Sequence, residues 1–173
     1  MTEITGPTGA EFQPDELLRL VDRHRVRYVL IGGLAAILHG SPSVTRDVEV
    51  CHAHDWENLL RLADALHEVN ARLRGAPAEL PFRLDAKTLA NSDSFTFTTD
   101  VGALDILATP AGTGGYEDLV RTAETVSAFG VDFAVASLDD LIRMKRAAGR
   151  PKDRIELEIL GALRAEIDGR ASG

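Results

Sequence analysis

A β-branched run, Arg27-Tyr28-Val29-Leu30-Ile31, stops at the pair Gly32-Gly33, and some fourteen residues later Arg46 to Cys51 alternates charged and apolar residues. The first run predicts a buried strand. The second predicts a half-buried strand with period two. Between them, Leu34 to Leu38 predicts one or two helical turns closed by His39-Gly40. A strand, a glycine turn, a short helix and a second strand with one polar face commit the chain to an α/β fold. Glycine lets a backbone approach a ligand closely, and free N–H groups at a helix start attract anions. The same pair equally marks a tight turn.

The polar face of the second strand carries chemistry. In Thr45-Arg46-Asp47-Val48-Glu49-Val50, side chains two apart share a face, so Asp47 and Glu49 point one way and the valines the other. Two carboxylates side by side repel unless a cation lies between them. Hard divalent ions take such oxygen pairs and usually share them with substrate phosphates. The alternative is an exposed strand face with two solvated acids. Asp105 sits in a similar setting, within the apolar run Ala103-Leu104-Asp105-Ile106-Leu107. An acid there is expensive to bury unless paired, so it faces a cation or solvent. A third carboxylate from a neighbouring strand would complete a site in which two ions clamp the attacking and leaving oxygens of a phosphoryl displacement.

The remaining chain supplies the scaffold. Residues 1–13 are expected as a tail, 14–168 as one domain and 169–173 as a second tail. Pro14 opens a helix with Leu17, Leu18 and Val21 at helical spacing. Asp55 to Val69 predicts an amphipathic helix that buries Trp56, Leu59, Leu60, Ala63 and Leu66. Phe95 to Thr98 and Ala103 to Leu107 predict a hairpin, and Thr125 to Phe129 with Val131 to Val135 a second. Ser137 caps a helix through Ala148, Gly149-Arg150-Pro151 breaks it, and a last helix runs to about Ile167. Asn70 to Asn91 is Pro-punctuated and gives no legible element. Hairpins need antiparallel neighbours, so the fold class expected is α/β with a mixed sheet flanked by helices.

Composition narrows the partners. The 173 residues are 45% hydrophobic and 27% charged, values of one ordinary globular domain rather than of disorder or fibrous repeats. The longest apolar stretch, Val26 to Leu38, contains Arg27 and the glycine pair and cannot span a bilayer. No basic-then-apolar leader precedes it, and the lone Cys51 cannot form an intrachain disulfide, so a cytoplasmic location is expected. A net charge of −8 excludes a general nucleic-acid coat but not a local basic site. Arg143, Lys145, Arg146, Arg150, Lys152 and Arg154 crowd one segment, opposed locally only by Asp153, and such a patch can steer a triphosphate or an RNA end. Cys51, His52 and His54 lack a fourth zinc ligand and read as surface and turn residues.

The runs Gly32-Gly33-Leu34-Ala35-Ala36-Ile37-Leu38-His39-Gly40 and Thr45-Arg46-Asp47-Val48-Glu49-Val50 together resemble the signature of the DNA polymerase β-like nucleotidyltransferase superfamily, in particular its small bacterial AbiEii and MenT toxin type. Leu141 to Asp153 resembles the lysine-bearing segment of the same relatives. The resemblance implies that Gly32, Gly33, Thr45, Arg46 and Arg150 bind the nucleotide. It implies that Asp47, Glu49 and Asp105 hold two Mg²⁺ or Mn²⁺ ions with an NTP, that Asp105 helps deprotonate the acceptor, and that Lys145 reaches the triphosphate. The family usually carries aspartate where this chain has Glu49, whose extra methylene moves the carboxylate by roughly 1.5 Å. The acceptor implied is a tRNA 3′ end or a protein hydroxyl, in the toxin of a toxin–antitoxin pair with a cognate antitoxin. Two other readings stay open: an antibiotic-modifying enzyme of the same superfamily, and an inactive binding partner or antitoxin on the same fold.

Overall fold

The computed structural model describes residues 11–173; the greater part of the expected N-terminal tail, residues 1–10, lies outside the described residues. In chain order the elements are α1 (Pro14–Arg23), β1 (Tyr28–Ile31), α2 (Gly32–Leu38), β2 (Asp47–His52), α3 (Trp56–Glu68), β3 (Arg72–Leu73), α4 (Ala86–Ala90), β4 (Ser94–Thr99), β5 (Gly102–Leu107), α5 (Tyr116–Leu119), β6 (Glu124–Ala128), β7 (Val131–Val135), α6 (Leu138–Ala148) and α7 (Asp153–Ala171). The strands form one seven-stranded sheet in the order β3-β4-β5-β2-β1-β7-β6. It is mixed: β2 runs parallel to β5 and β1 to β7, whereas β1/β2, β3/β4, β4/β5 and β6/β7 are antiparallel. Helices flank it.

Burial follows the alternation of each strand. Val48 and Val50 of β2, Leu104 and Ile106 of β5, Leu30 of β1 and Phe97 of β4 fall on one face by register and are fully buried. Each such side chain contributes about 1.5–3 kcal/mol by leaving water. The helices α1 and α3 pack together, and α1 also meets β2, β5 and β7. On the opposite face α2 lies over β1 and β2 and touches α6.

Several sequence expectations shift. The phase of α3 turns Asn58, Leu59, Leu62, Ala63 and Leu66 inward, which leaves Trp56 56% and Leu60 46% exposed instead of in the core. Cys51 and His52 are not surface or turn residues: they end β2 fully buried, because that end of the strand is covered on both faces. Burial pushes the Cys51 thiol up to about 12, an inert sulfur. The illegible stretch contains a two-residue edge strand, β3, and the short α4, capped by Asp85 accepting from Thr88 N. The helix α7 starts at Asp153 and continues through Ala171, past the helix end expected at about Ile167. No helix among the described residues is long and apolar enough to cross a membrane.

Candidate functional site

The turn between β1 and α2 is shaped around two side chains of the following strand. Gly32 has φ +72, a conformation that costs glycine little, and a Cβ there would collide with Glu49 Oε2. A Cβ on Gly33 would come within 2.9 Å of Thr45 Oγ1. The room left by the two glycines is therefore taken up by Glu49 and Thr45. Gly32 and Gly33 line a pocket of about 390 Å³ together with Glu49, Lys145, Arg150, Glu156 and an apolar wall that includes Leu107, Leu141 and Met144.

Register brings the acids together. Across the parallel pair, Glu49 lies opposite Asp105 and Asp47 opposite Ala103. Paired residues share a face, so Asp47, Glu49 and Asp105 form one row on the side of the sheet that carries α2. Thr45 Oγ1 donates to Asp47 Oδ1 at 3.1 Å and to the Asp47 carbonyl at 3.2 Å, which fixes that side chain's approach. Burial, reinforced by Asp47 and Asp105, raises Glu49 to about 6. Asp105 also rises to about 6: burial and the nearby Asp47 outweigh Arg74, which pulls it down. Glu49 and Asp105, raised side by side, mark a place short of positive charge.

The donors fit a hard divalent ion in kind: three carboxylates from two adjacent strands, all oxygen. As the side chains lie, the Asp47 carboxylate comes within hydrogen-bonding reach of Asp105, but the three do not converge on one point. Among the described residues no three His, Cys, Asp or Glu side chains come together as a ligand set. Glu49 rests over Gly32, and the Asp105 carboxylate accepts from Arg74 Nη2 at 2.8 Å. Arg46 is exposed beside the row.

The cations on the other side are held by one buried acid. Asp153, 1% exposed, accepts from Arg150 Nε at 2.9 Å, from Arg150 N at 3.2 Å and from Lys145 Nζ at 3.3 Å. Hydrogen bonds from Arg150, then from Lys145, take it down to about 2. The helix α6 ends in a left-handed Gly149 (φ 62), and this corner aims Lys145 and Arg150 at the pocket. Much of the basic segment is thus internally paired, Arg143 included, with Asp118 and Asp140 each at 3.0 Å. Sequence reasoning noted Asp153 only as a stray negative charge. The readable signal was an acid set among Arg150, Lys152 and Arg154 just after a helix break. Arg74 gave no signal at all, since its contact depends on the pairing of β3.

No protein-family model and no curated protein matches the chain. Its structure is similar to that of the lincosamide antibiotic adenylyltransferase LnuA with lincomycin bound, with a TM-score of 0.56 at 16% identity over 86% of this chain and 94% of that one. It is also similar to a candidate nucleotidyltransferase from Thermotoga maritima, with a TM-score of 0.51 at 17% identity over 95% and 99% of the two chains. Identities this low speak for architecture alone, and the architecture, a seven-stranded mixed sheet flanked by helices, is nucleotidyltransferase-like.

Proposed function

We propose that the chain is an NTP-dependent nucleotidyltransferase. The observation that carries the reading is the row of Asp47, Glu49 and Asp105 on one sheet face beside a pocket lined by Gly32, Gly33, Lys145 and Arg150. Two divalent ions, Mg²⁺ or Mn²⁺, bound with the nucleotide would supply Lewis-acid stabilisation of the attacking and leaving oxygens. Asp47, Glu49 and Asp105 are the residues that would hold them. Thr45 keeps Asp47 in place. Lys145 and Arg150, fixed by Asp153, neutralise the triphosphate as pyrophosphate leaves, while Arg46 stands exposed at the row's edge for the same phosphates. Asp105 takes the proton of the attacking hydroxyl.

The acceptor in this reading is a tRNA 3′ end, or failing that a protein hydroxyl, and the activity is that of a toxin restrained by a cognate antitoxin. The cations Arg146, Lys152 and Arg154, exposed beside the pocket, support an anionic acceptor. A small cationic drug is the second reading, favoured by the net charge of −8. Purified protein given each α-labelled NTP with Mg²⁺ or Mn²⁺, with and without total tRNA, beside Asp47→Ala, separates them. Label on RNA from the wild type alone supports the first reading and names the base. Label on protein moves the acceptor, and label on an added aminoglycoside or lincosamide supports the second reading. No label on any acceptor, with no binding of MgNTP, leaves an inactive binding module.

A further inference from the structure

The edge strand sends one side chain into the acid row. In β3, Arg72 pairs with Thr98 and Leu73 with Phe97, and Arg74 N donates to the Thr96 carbonyl at 2.9 Å, so the pairing runs one residue beyond the strand. Thr96 faces Asp105 across the next pair. Alternation therefore places Arg74 on the face of the carboxylates. Its Nη2 group donates both to Asp105 Oδ1 and to the Phe97 carbonyl, each at 2.8 Å, and its buried Nε has no acceptor. Among the described residues this is the one cation in direct contact with the row.

A single guanidinium against three carboxylates leaves the row negative. It also occupies Oδ1 of Asp105, so a divalent ion taken up by that carboxylate would stand beside a guanidinium that repels it. The backbone gives Arg74 somewhere to go. Gly75 follows it with φ +76 and nothing within 4 Å of where a Cβ would stand, beside an open groove of about 860 Å³ lined by Arg72, Leu73, Gly75 and Phe82.

We propose that Arg74 is the resident counter-cation of Asp105: it holds the carboxylate in the metal-free protein, leaves it when a divalent ion binds, and thereby sets the affinity of the acid row for that ion. The inference rests on the reading of Asp47, Glu49 and Asp105 as a metal site. It accounts for the orientation of the Asp105 carboxylate towards the edge strand.

Mn²⁺ binding to the full chain, followed by loss of the free-ion electron paramagnetic resonance signal, tests it. Arg74→Met removes the charge and keeps the length of the side chain, and it is expected to bind Mn²⁺ about tenfold more tightly than the wild type. Arg74→Lys is expected within about threefold of the wild type, since the charge stays. In the wild type, the Arg74 Nε–Hε resonance, identified by its absence from Arg74→Lys, is expected to move on titration with diamagnetic Mg²⁺. That titration decides the matter alone if Arg74→Met does not fold. Equal or weaker Mn²⁺ binding by folded Arg74→Met, or an unmoved resonance at saturating Mg²⁺, overturns the role of Arg74 while a metal site abolished by Asp47→Ala still stands. No Mn²⁺ binding by wild type or Arg74→Met overturns the metal site and this inference with it.

Discussion

Two groups of acids, a few residues from the same pocket, sit in opposite electrostatic states. At the corner between α6 and α7, one carboxylate, Asp153, is buried and receives four hydrogen bonds from two cations and a backbone N–H. On β2 and β5, three carboxylates share one guanidinium, and two of them rise to about 6. Burial is common to both, so burial is not what separates them. The difference is the ratio of donors to acids. A satisfied acid fixes the shape of a corner, whereas an under-compensated row stores repulsion that an incoming cation relieves. One is built to stay as it is and the other to be completed.

The sharpest way to break this contrast is to remove one acid from each group. Asp47→Ala is expected to lower nucleotide transfer by at least about a hundredfold while leaving urea-denaturation stability unchanged or raised. Retained transfer would end the functional reading of the row. Asp153→Ala is expected to lose about 2–3 kcal/mol of stability, less than a fully buried pair because Lys145 and Arg150 are partly exposed and can rehydrate. A loss below about 0.5 kcal/mol would mean that the corner does not depend on its acid.

A pH profile sharpens the same point without mutation. Glu49 has a folded pKa of about 6 against an ordinary 4.5, so its ionisation costs stability above pH 6 and the cost vanishes as pH falls below 4.5. The shift is worth about 2 kcal/mol. Metal-free protein is therefore expected to gain stability between pH 7 and 5, contrary to ordinary acid behaviour, and Mg²⁺ is expected to flatten that limb. Asp153 works the other way: its contribution is present above its ordinary 3.8 and is lost as pH falls through about 2. A monotonic decline from pH 7 downward in chelator would contradict the contrast. A smaller effect is expected from Gly32→Ala, about 1–3 kcal/mol, through the positive φ and the collision with Glu49, read as a lower melting midpoint and weaker Mn²⁺ binding. Smallest of all, Trp56→Ala is expected to change stability by less than about 0.5 kcal/mol, because its ring lies mostly in water.

What could be read in the sequence was local. The period of Arg46 to Cys51 placed Asp47 and Glu49 on one face, and the glycine pair announced the turn before them. The mixed sheet followed from the hairpins. The opposition of Glu49 and Asp105 was not readable, because it depends on which strand β5 joins, and nothing in either strand names its neighbour. Trp56 misled because an amphipathic helix tolerates an apolar residue at the margin of its stripe, and periodicity alone does not say where that stripe ends. Arg74 and Asp153 act through contacts set by an edge strand and a helix corner, both of which are consequences of tertiary packing.

The register of β5 has a further consequence for how faithfully the molecule is made. Side chains alternate with a period of two, so a slip of one residue against β2 would drive Asp105 into the core and expose Leu104 and Ile106. Each of those changes costs several kilocalories, and together they match the roughly 5–15 kcal/mol that holds a domain folded. Misaligned molecules are thus removed by unfolding rather than retained as imperfect copies. Every chain that passes this proofreading carries its three acids on the same side.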